Sequence, residues 1–392
     1  MLKSNTHNPG SHGGAGKALL CTITVFFWFA QYVYVPFLTP YLLTLSMTAT
    51  TAGLIVGAYG ITQLILRIPL GITVDMVRNH KLFIVFGSLL AGVSSLGMII
   101  SPSPVLLCIA NGLSGVASST WISFTVLFPV YYEKSKGTRA IGIINLFSNG
   151  GRLAAFITGG VLFERIGIRG LFVASFASGI IACIFALFLK REREAAQFNI
   201  SMKGIGQVMK ERWLLFSSIM STLAFLVLFG TVYSFTTSTA RNLGATGLEL
   251  ALFSVLFSAA SMIGAFSVGT RIANKVGEKY VLILAFLLLG TYCVGIAFSR
   301  SITPFFPLQV IAGLANGLLA SSLMACAVRH VDEDRKSTAM GFYQSVYCLG
   351  ITLGPVLMGF LVDHASTGVS FIVMALIALA CAAAIPLSYK TD

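Results

Sequence analysis

The sequence has 392 residues, 56% of them hydrophobic and only 10% charged, where soluble domains carry roughly a quarter charged residues. That composition excludes an ordinary soluble domain and points to a polytopic membrane protein. A formal net charge of +13 is of the size that nucleic-acid binders carry, but the placement of the basic residues excludes that partner.

In chain order, the opening stretch MLKSNTHNPGSHGGAGK (1–17) is polar and Gly-rich, with neither a hydrophobic core nor a cleavage site, and reads as a cytoplasmic tail, not a signal peptide. A hydrocarbon core of about 30 Å asks for roughly 20 apolar residues per spanning helix. Apolar runs between polar breaks predict spans near 18–44, 50–75, 82–100, 104–131, 139–163 and 170–189. A second set follows near 213–239, 249–272, 280–299, 304–329, 338–362 and 369–389. The break between the sets, KREREAAQFNISMKGIGQVMKER (190–212), is the longest polar segment and is strongly basic. The expected organisation is an all-α membrane protein with 12 transmembrane helices: a tail (1–17), a six-helix half (18–189), a cytoplasmic linker (190–212) and a second six-helix half (213–389).

With the amino terminus placed inside, 20 Lys and Arg fall in tails and inward loops, and four (Arg165, Arg169, Arg241, Arg300) in outward loops. This is the positive-inside bias; it predicts that both termini are cytoplasmic and that the charge reports topology. Seven cysteines lie within apolar segments with no CxxC pair and no nearby His cluster, so they read as core residues and neither metal ligands nor a disulfide framework.

A shift of 199 residues brings Ala140 onto Ala339, Gly142 onto Gly341, Gly151 onto Gly350, Gly160 onto Gly359 and Glu164 onto Asp363. The same shift carries Asp75 onto Asn274 and Val77 onto Val276. One offset holding at two separate places marks an internal duplication, a common construction among transporters.

GITVDMVRNHK, from Gly71 to Lys81, resembles the inward loop between the second and third helices of the major facilitator superfamily, with Met76, Arg78 and Asn79 departing from the pattern. In the second copy, Thr270 and Asn274 take the Gly and Asp places. Together with twelve spans and the six-plus-six repeat, the resemblance covers essentially the entire chain. It implies that fold, transport by alternating access, and a loop that latches the two halves in the outward-facing state. On the residues alone, Gly71 lets two helix ends approach, and Asp75 needs a partner such as Arg78, Lys81 or a helix amino terminus. GRLAAFITGG (151–160) resembles the fifth-helix motif of exporters in the superfamily with Ala155 and Phe156 in place of Gly-Pro, whereas GITLGPVLMG (350–359) keeps Gly354 and Pro355. The resemblance tilts the expectation slightly towards efflux; ordinary helix packing is the alternative reading of these glycines.

Arg152 stands near mid-depth of the fifth span, about 13 residues from one end and 11 from the other, too deep to snorkel at 1.5 Å per residue. An intramembrane charge is costly and usually faces a water-filled cavity. A forked, permanently cationic donor suits a carboxylate, phosphate or sulfonate. All 13 acidic residues lie in loops, tails or helix ends, which leaves amides such as Asn149 and Asn111, or carbonyls, as the alternative partners. Arg67, eight residues before Asp75, is expected to serve structure or gating. Other groups placed to line a central cavity are Trp28, Gln31, Tyr32 and Tyr34 in the first span, Asn111 and Trp121 in the fourth, and Tyr233, Asn316, Tyr343, Gln344 and Tyr347 in the second half. Such a lining suits an organic solute with ring or alkyl surface as well as charge.

No acid and no histidine lies mid-span, so coupling falls to Glu164, Glu249 and Asp363 near the outward face, to a proton carried by the substrate, or to exchange against a counter-anion. No phosphate loop of the ATPase type is present, and no metal or cofactor is expected. Neither a nucleophile with its base nor a metal cluster suggests an enzyme. The expected protein is thus a monomeric secondary transporter of a small organic, anionic or amphipathic solute in a prokaryotic plasma (inner) membrane. An importer, uniporter or exchanger of a carboxylate or phosphorylated metabolite is the alternative.

Overall fold

The structure, a computed structural model, describes residues 13–77, 79–100, 102–132, 137–190, 211–268, 277–332 and 335–388. Arg78 and most of the basic linker lie outside the described residues, as does the side chain of Asp75. Among the described residues every regular element is helical. The first half holds α1 (Gly13–Tyr32 and Val35–Thr44), α2 (Ala49–Val77), α3 (His80–Ile100), α4 (Pro104–Ser119 and Trp121–Val130), α5 (137–166) and α6 (168–187). The second holds α7 (Arg212–Gly230, Thr231–Phe235 and Thr236–Asn242), α8 (Gly247–Val268), α9 (Glu278–Phe298), α10 (Phe305–Val328), α11 (Lys336–His364) and α12 (Thr367–Ser388).

Among the described residues eleven continuous helices are long and apolar enough to cross a bilayer, and the longest, Arg139–Leu187, contains Gly167 at φ 63° and ψ −178°. Only glycine adopts that backbone without strain, so the helix turns back there and supplies two spans, α5 and α6. The first helix starts at Gly13, so the end of the expected tail is helical, and Lys17 Nζ sits 4.1 Å above the Tyr132 ring. The helix ends that face each other in the pairs α2–α3, α4–α5, α6–α7, α8–α9 and α10–α11 define one side, here the linker face; the other helix ends define the opposite, cap face.

Without water between lipid and helix, close van der Waals packing and interhelical hydrogen bonds replace the hydrophobic effect as the force that joins spans. Small residues mark each crossing. α3 meets α6 where a Cβ on Gly179 would overlap the backbone of Gly92, and α5 meets α1 where a Cβ on Gly151 would stand 2.6 Å from the Val25 carbonyl oxygen. Gly350 makes the matching approach of α11 to Thr222 of α7. The two halves join through α2 against α11 and α5 against α8.

Two helices are irregular at matching depth. α1 breaks at Val33 and Tyr34, because Pro36 lacks an N–H and its ring excludes the carbonyl four residues earlier. α7 instead widens into a π-turn over Thr231–Phe235, and Tyr34 plus 199 is Tyr233, at its centre. π-turns are frequent at functional sites, and this one sits beside the central cavity.

Candidate functional site

α5 and α8 flank a cavity of about 140 Å³ at mid-depth. Asn149, Arg152 and Phe156 line it from α5; Phe257, Ser258, Ser261 and Met262 from α8; Tyr32, Tyr233 and Asn316 from α1, α7 and α10. The Arg152 guanidinium carbon lies 4.0 Å from the centroid of Trp28 and 4.8 Å from that of Tyr32. Desolvated cation–π contacts contribute about 2 kcal/mol, close to the roughly 2.5–3.5 kcal/mol that insertion scales assign to an arginine at the bilayer centre. The clamp thus holds the cation in place without neutralising it. Among the described residues no carboxylate forms an ion pair with Arg152. Two neighbouring donors, Arg152 Nε and Trp28 Nε1, are buried with no hydrogen-bond partner. A cation with unpartnered donors beside it and no paired carboxylate is matched by an anion that brings its own oxygens.

A second cavity of about 50 Å³ shares Tyr32 and Tyr233 with the first and is bounded by Gln31, Tyr34, Tyr59 and Asn111. Its amides are partly committed to the frame. Gln31 Nε2 donates to the Ser114 carbonyl at 3.1 Å while Ser114 Oγ donates to Gln31 Oε1, and Asn111 Nδ2 donates to the Ile55 and Val56 carbonyls at 2.8 and 3.1 Å. These bonds tie α1 to α4 and α4 to α2, so Gln31 and Asn111 shape the chamber more than they offer donors to it. Asn316 Nδ2 likewise donates to Ser261 Oγ at 2.7 Å.

Other sequence-predicted residues land elsewhere. Trp121 stacks edge-on against Trp28, centroids 5.2 Å apart, and so backs the clamp from behind. On α11, Tyr343 hydrogen-bonds Ser221 of α7 at 2.6 Å, Tyr347 packs on Phe225, and Gln344 is half-buried between them in sequence. None of the three lines either cavity above. The physical reason is the close approach of Gly350 and Gly354 to α7, which turns this face of α11 towards its own half. Arg67 hydrogen-bonds Gln63 Oε1 at 3.2 Å and reaches across to the Tyr347 ring at 5.9 Å, bridging the halves. Residues that sequence reasoning missed are Tyr59, Phe156, Phe257, Ser258 and Ser261; the spacing Ser254, Ser258, Ser261 on one face of an apolar span was the available signal.

Between α2 and α3 Gly71 is buried, and Lys81 Nζ donates to the Leu187 carbonyl at 2.6 Å, satisfying the end of α6. The three coupling candidates are all helix caps. Asp363 accepts from the backbone N–H groups of Ala49 and Thr50, each at 2.8 Å, and from Thr50 Oγ1 at 2.6 Å. Glu164 accepts from Gly247 N at 2.8 Å and from Arg241 at 3.2 Å. Asp363 and Glu164, related by the repeat, therefore hold the first turns of α2 and α8 in the opposite half. Glu249 closes a capping box with Thr246 inside α8, accepting from Thr246 N at 2.7 Å.

The description Major Facilitator Superfamily matches residues 20–302 and 219–392. The chain belongs to the major facilitator superfamily. This superfamily member is an integral membrane transporter of small molecules and not an enzyme. It is 25% identical over 343 residues to an uncharacterised MFS-type transporter of Methanocaldococcus jannaschii, covering 84% of this chain and 86% of that one. It is 24% identical over 237 residues to the multidrug resistance protein MdtG of Dickeya zeae, spanning 59% of this chain and 58% of the relative. Its fold is that of a bacterial homologue of the human lysosomal transporter Spinster in an inward-facing, unoccupied conformation (TM-score 0.80, 15% identity, 97% of both chains). The nucleoside transporter NupG is similar too (TM-score 0.76, 14% identity, 96% of this chain and 100% of that one).

Proposed function

We propose that this superfamily member is a secondary transporter of an amphipathic organic anion, bound at mid-membrane on Arg152. The observation that carries the reading is the donor surplus at the clamp: a guanidinium held by Trp28 and Tyr32, two buried donors without a partner and, among the described residues, no carboxylate paired with it. Phe156, Phe257 and Tyr233 supply apolar wall for the rest of the solute. The linker face is the cytoplasmic side of a prokaryotic inner membrane, with both termini inside, and the halves 18–189 and 213–389 rock about the site as a monomer. The joined helix starts at the cap face and the cavity between α5 and α8 support an inward-facing resting state. Relatives named multidrug resistance protein support efflux, driven by exchange against protons or a counter-anion.

Thermal stability of the purified protein in nanodiscs with octanesulfonate, octanol or octyltrimethylammonium tests this. A ligand of the folded state alone stabilises by about 2.7 kcal/mol at a hundredfold excess over Kd. Octanesulfonate is expected to raise the melting temperature, in a manner lost in Arg152→Gln and only partly kept in Arg152→Lys. Stabilisation by octyltrimethylammonium that survives Arg152→Gln would overturn the anion site.

A further inference from the structure

The two contacts between the halves are not equivalent. α2 presents Gly53, Gly57 and Gly60 on one face, and α11 lies directly on them: a Cβ on Gly53 would overlap the Pro355 carbonyl, and one on Gly57 would stand 2.6 Å from that of Thr352. At the same places of the repeat α8 carries Leu252, Leu256 and Ala259. α5 and α8 touch near the cap face, at Gly160 with Ala251 and Phe163 with Gly247, and a cavity lies between them at mid-depth. Nearer the linker face Arg67 reaches Tyr347, whereas of the repeat counterparts of that pair Phe266 is 81% exposed and Ser148 hydrogen-bonds its own helix at Asn145 O. A Cβ on Gly142 or Gly150 would have nothing within 4 Å.

The gap is polar within and apolar at its rims. Asn145, Asn149 and Arg152 are spaced four and three apart, so they form one stripe down α5 from near the linker face to mid-depth. Ser258 and Ser261 face it from α8. Outside stand Leu146 at 58% exposed and Ile263 at 65%. A polar stripe opening sideways to hydrocarbon is costly unless it receives polar groups from there. We infer that the α5/α8 seam is a lateral portal, and that the substrate is a membrane-partitioned anion: its head moves along Asn145 and Asn149 to Arg152 while its alkyl chain stays in the bilayer. This rests on the anion site at Arg152 and adds to it the route and the need for a long chain.

Proteoliposome uptake of butanesulfonate and dodecanesulfonate tests it, since a sulfonate stays ionised and does not cross lipid as a neutral acid. Gly142→Phe, three residues before Asn145 and seven before Asn149, puts a ring on the polar stripe without displacing a neighbour, whereas Gly150→Phe, four residues after Leu146, puts one on the apolar rim. Dodecanesulfonate uptake is expected to fall about tenfold in Gly142→Phe and less than about twofold in Gly150→Phe, while butanesulfonate stays within about twofold in both. Equal slowing of both probes in Gly142→Phe, or of neither, overturns the portal. Butanesulfonate uptake that Arg152→Gln abolishes, with no chain-length effect in the glycine variants, leaves the anion site standing and removes the portal alone. Wild-type protein that moves neither sulfonate overturns both.

Discussion

The α2/α11 and α5/α8 seams occupy matching places in a duplicated chain, and at the cap face they are built alike: Asp363 holds the first turn of α2, and Glu164 the first turn of α8. From there they diverge. Three glycines let α2 settle backbone to backbone against α11, while the bulkier Leu252, Leu256 and Ala259 stand at the matching positions of α8. Side-chain volume at three positions thus decides which seam closes along its length and which leaves a cavity beside Arg152. In a membrane this matters more than in water, because lipid solvates an apolar helix face as well as a neighbouring helix does, and only fit and hydrogen bonds favour the closed arrangement.

The comparison breaks most severely if the glycine stripe is made to resemble α8. Gly57→Leu places a side chain where 2.6 Å separates a Cβ from the Thr352 carbonyl, with no flexible neighbour to yield. Overpacking of this kind costs about 1–3 kcal/mol or more. A fall in melting temperature and a loss of transport of about tenfold or more are expected. Wild-type values for both would mean that the seam is not held by backbone contact.

A smaller effect is expected at the shared caps. Asp363→Asn keeps the shape but weakens three charge-assisted bonds, worth about 1 kcal/mol at a helix start, and should raise the cap-open population several-fold. Alkylation by a membrane-impermeant maleimide of a cysteine introduced at Thr237, buried below the cap face, reads that population. Glu164→Gln should do the same more weakly, because that side chain is 53% exposed and holds one backbone N–H. Equal alkylation in wild type and Asp363→Asn would remove the caps from the closure of this face.

The smallest effect belongs to Glu249, whose bonds stay within its own helix. Glu249→Gln should change transport less than about twofold, as a local capping box predicts. A larger loss, at any proton gradient, would restore Glu249 as a coupling residue.

Much of this was legible in the residues. The spans, the 199-residue repeat and the depth of Arg152 follow from run length and spacing, because lipid thickness and helical rise set them. So does the lack of a mid-span acid to neutralise Arg152. The twelfth span was also visible in the sequence, although helix continuity conceals it until Gly167 is seen to turn the chain.

What the residues did not disclose is direction. A span that is apolar on every side gives no moment to say which face meets which neighbour. Thus Tyr343 and Tyr347 share a face of α11, as their spacing requires, but only the packing of Gly350 and Gly354 on α7 decides that this face looks away from the cavity. The partner of Arg152 could not be found along the chain either, since Trp28 is supplied by another helix. Asp363 and Glu164 look in sequence like titratable groups at a boundary; folding makes them caps, because a helix start from the other half arrives with N–H groups that need an acceptor. Residue order alone is enough to set the number of spans, their duplication and one uncompensated cation at mid-depth. What surrounds that cation, and which seam opens beside it, is settled by packing, because both depend on how closely helices far apart in the chain can approach.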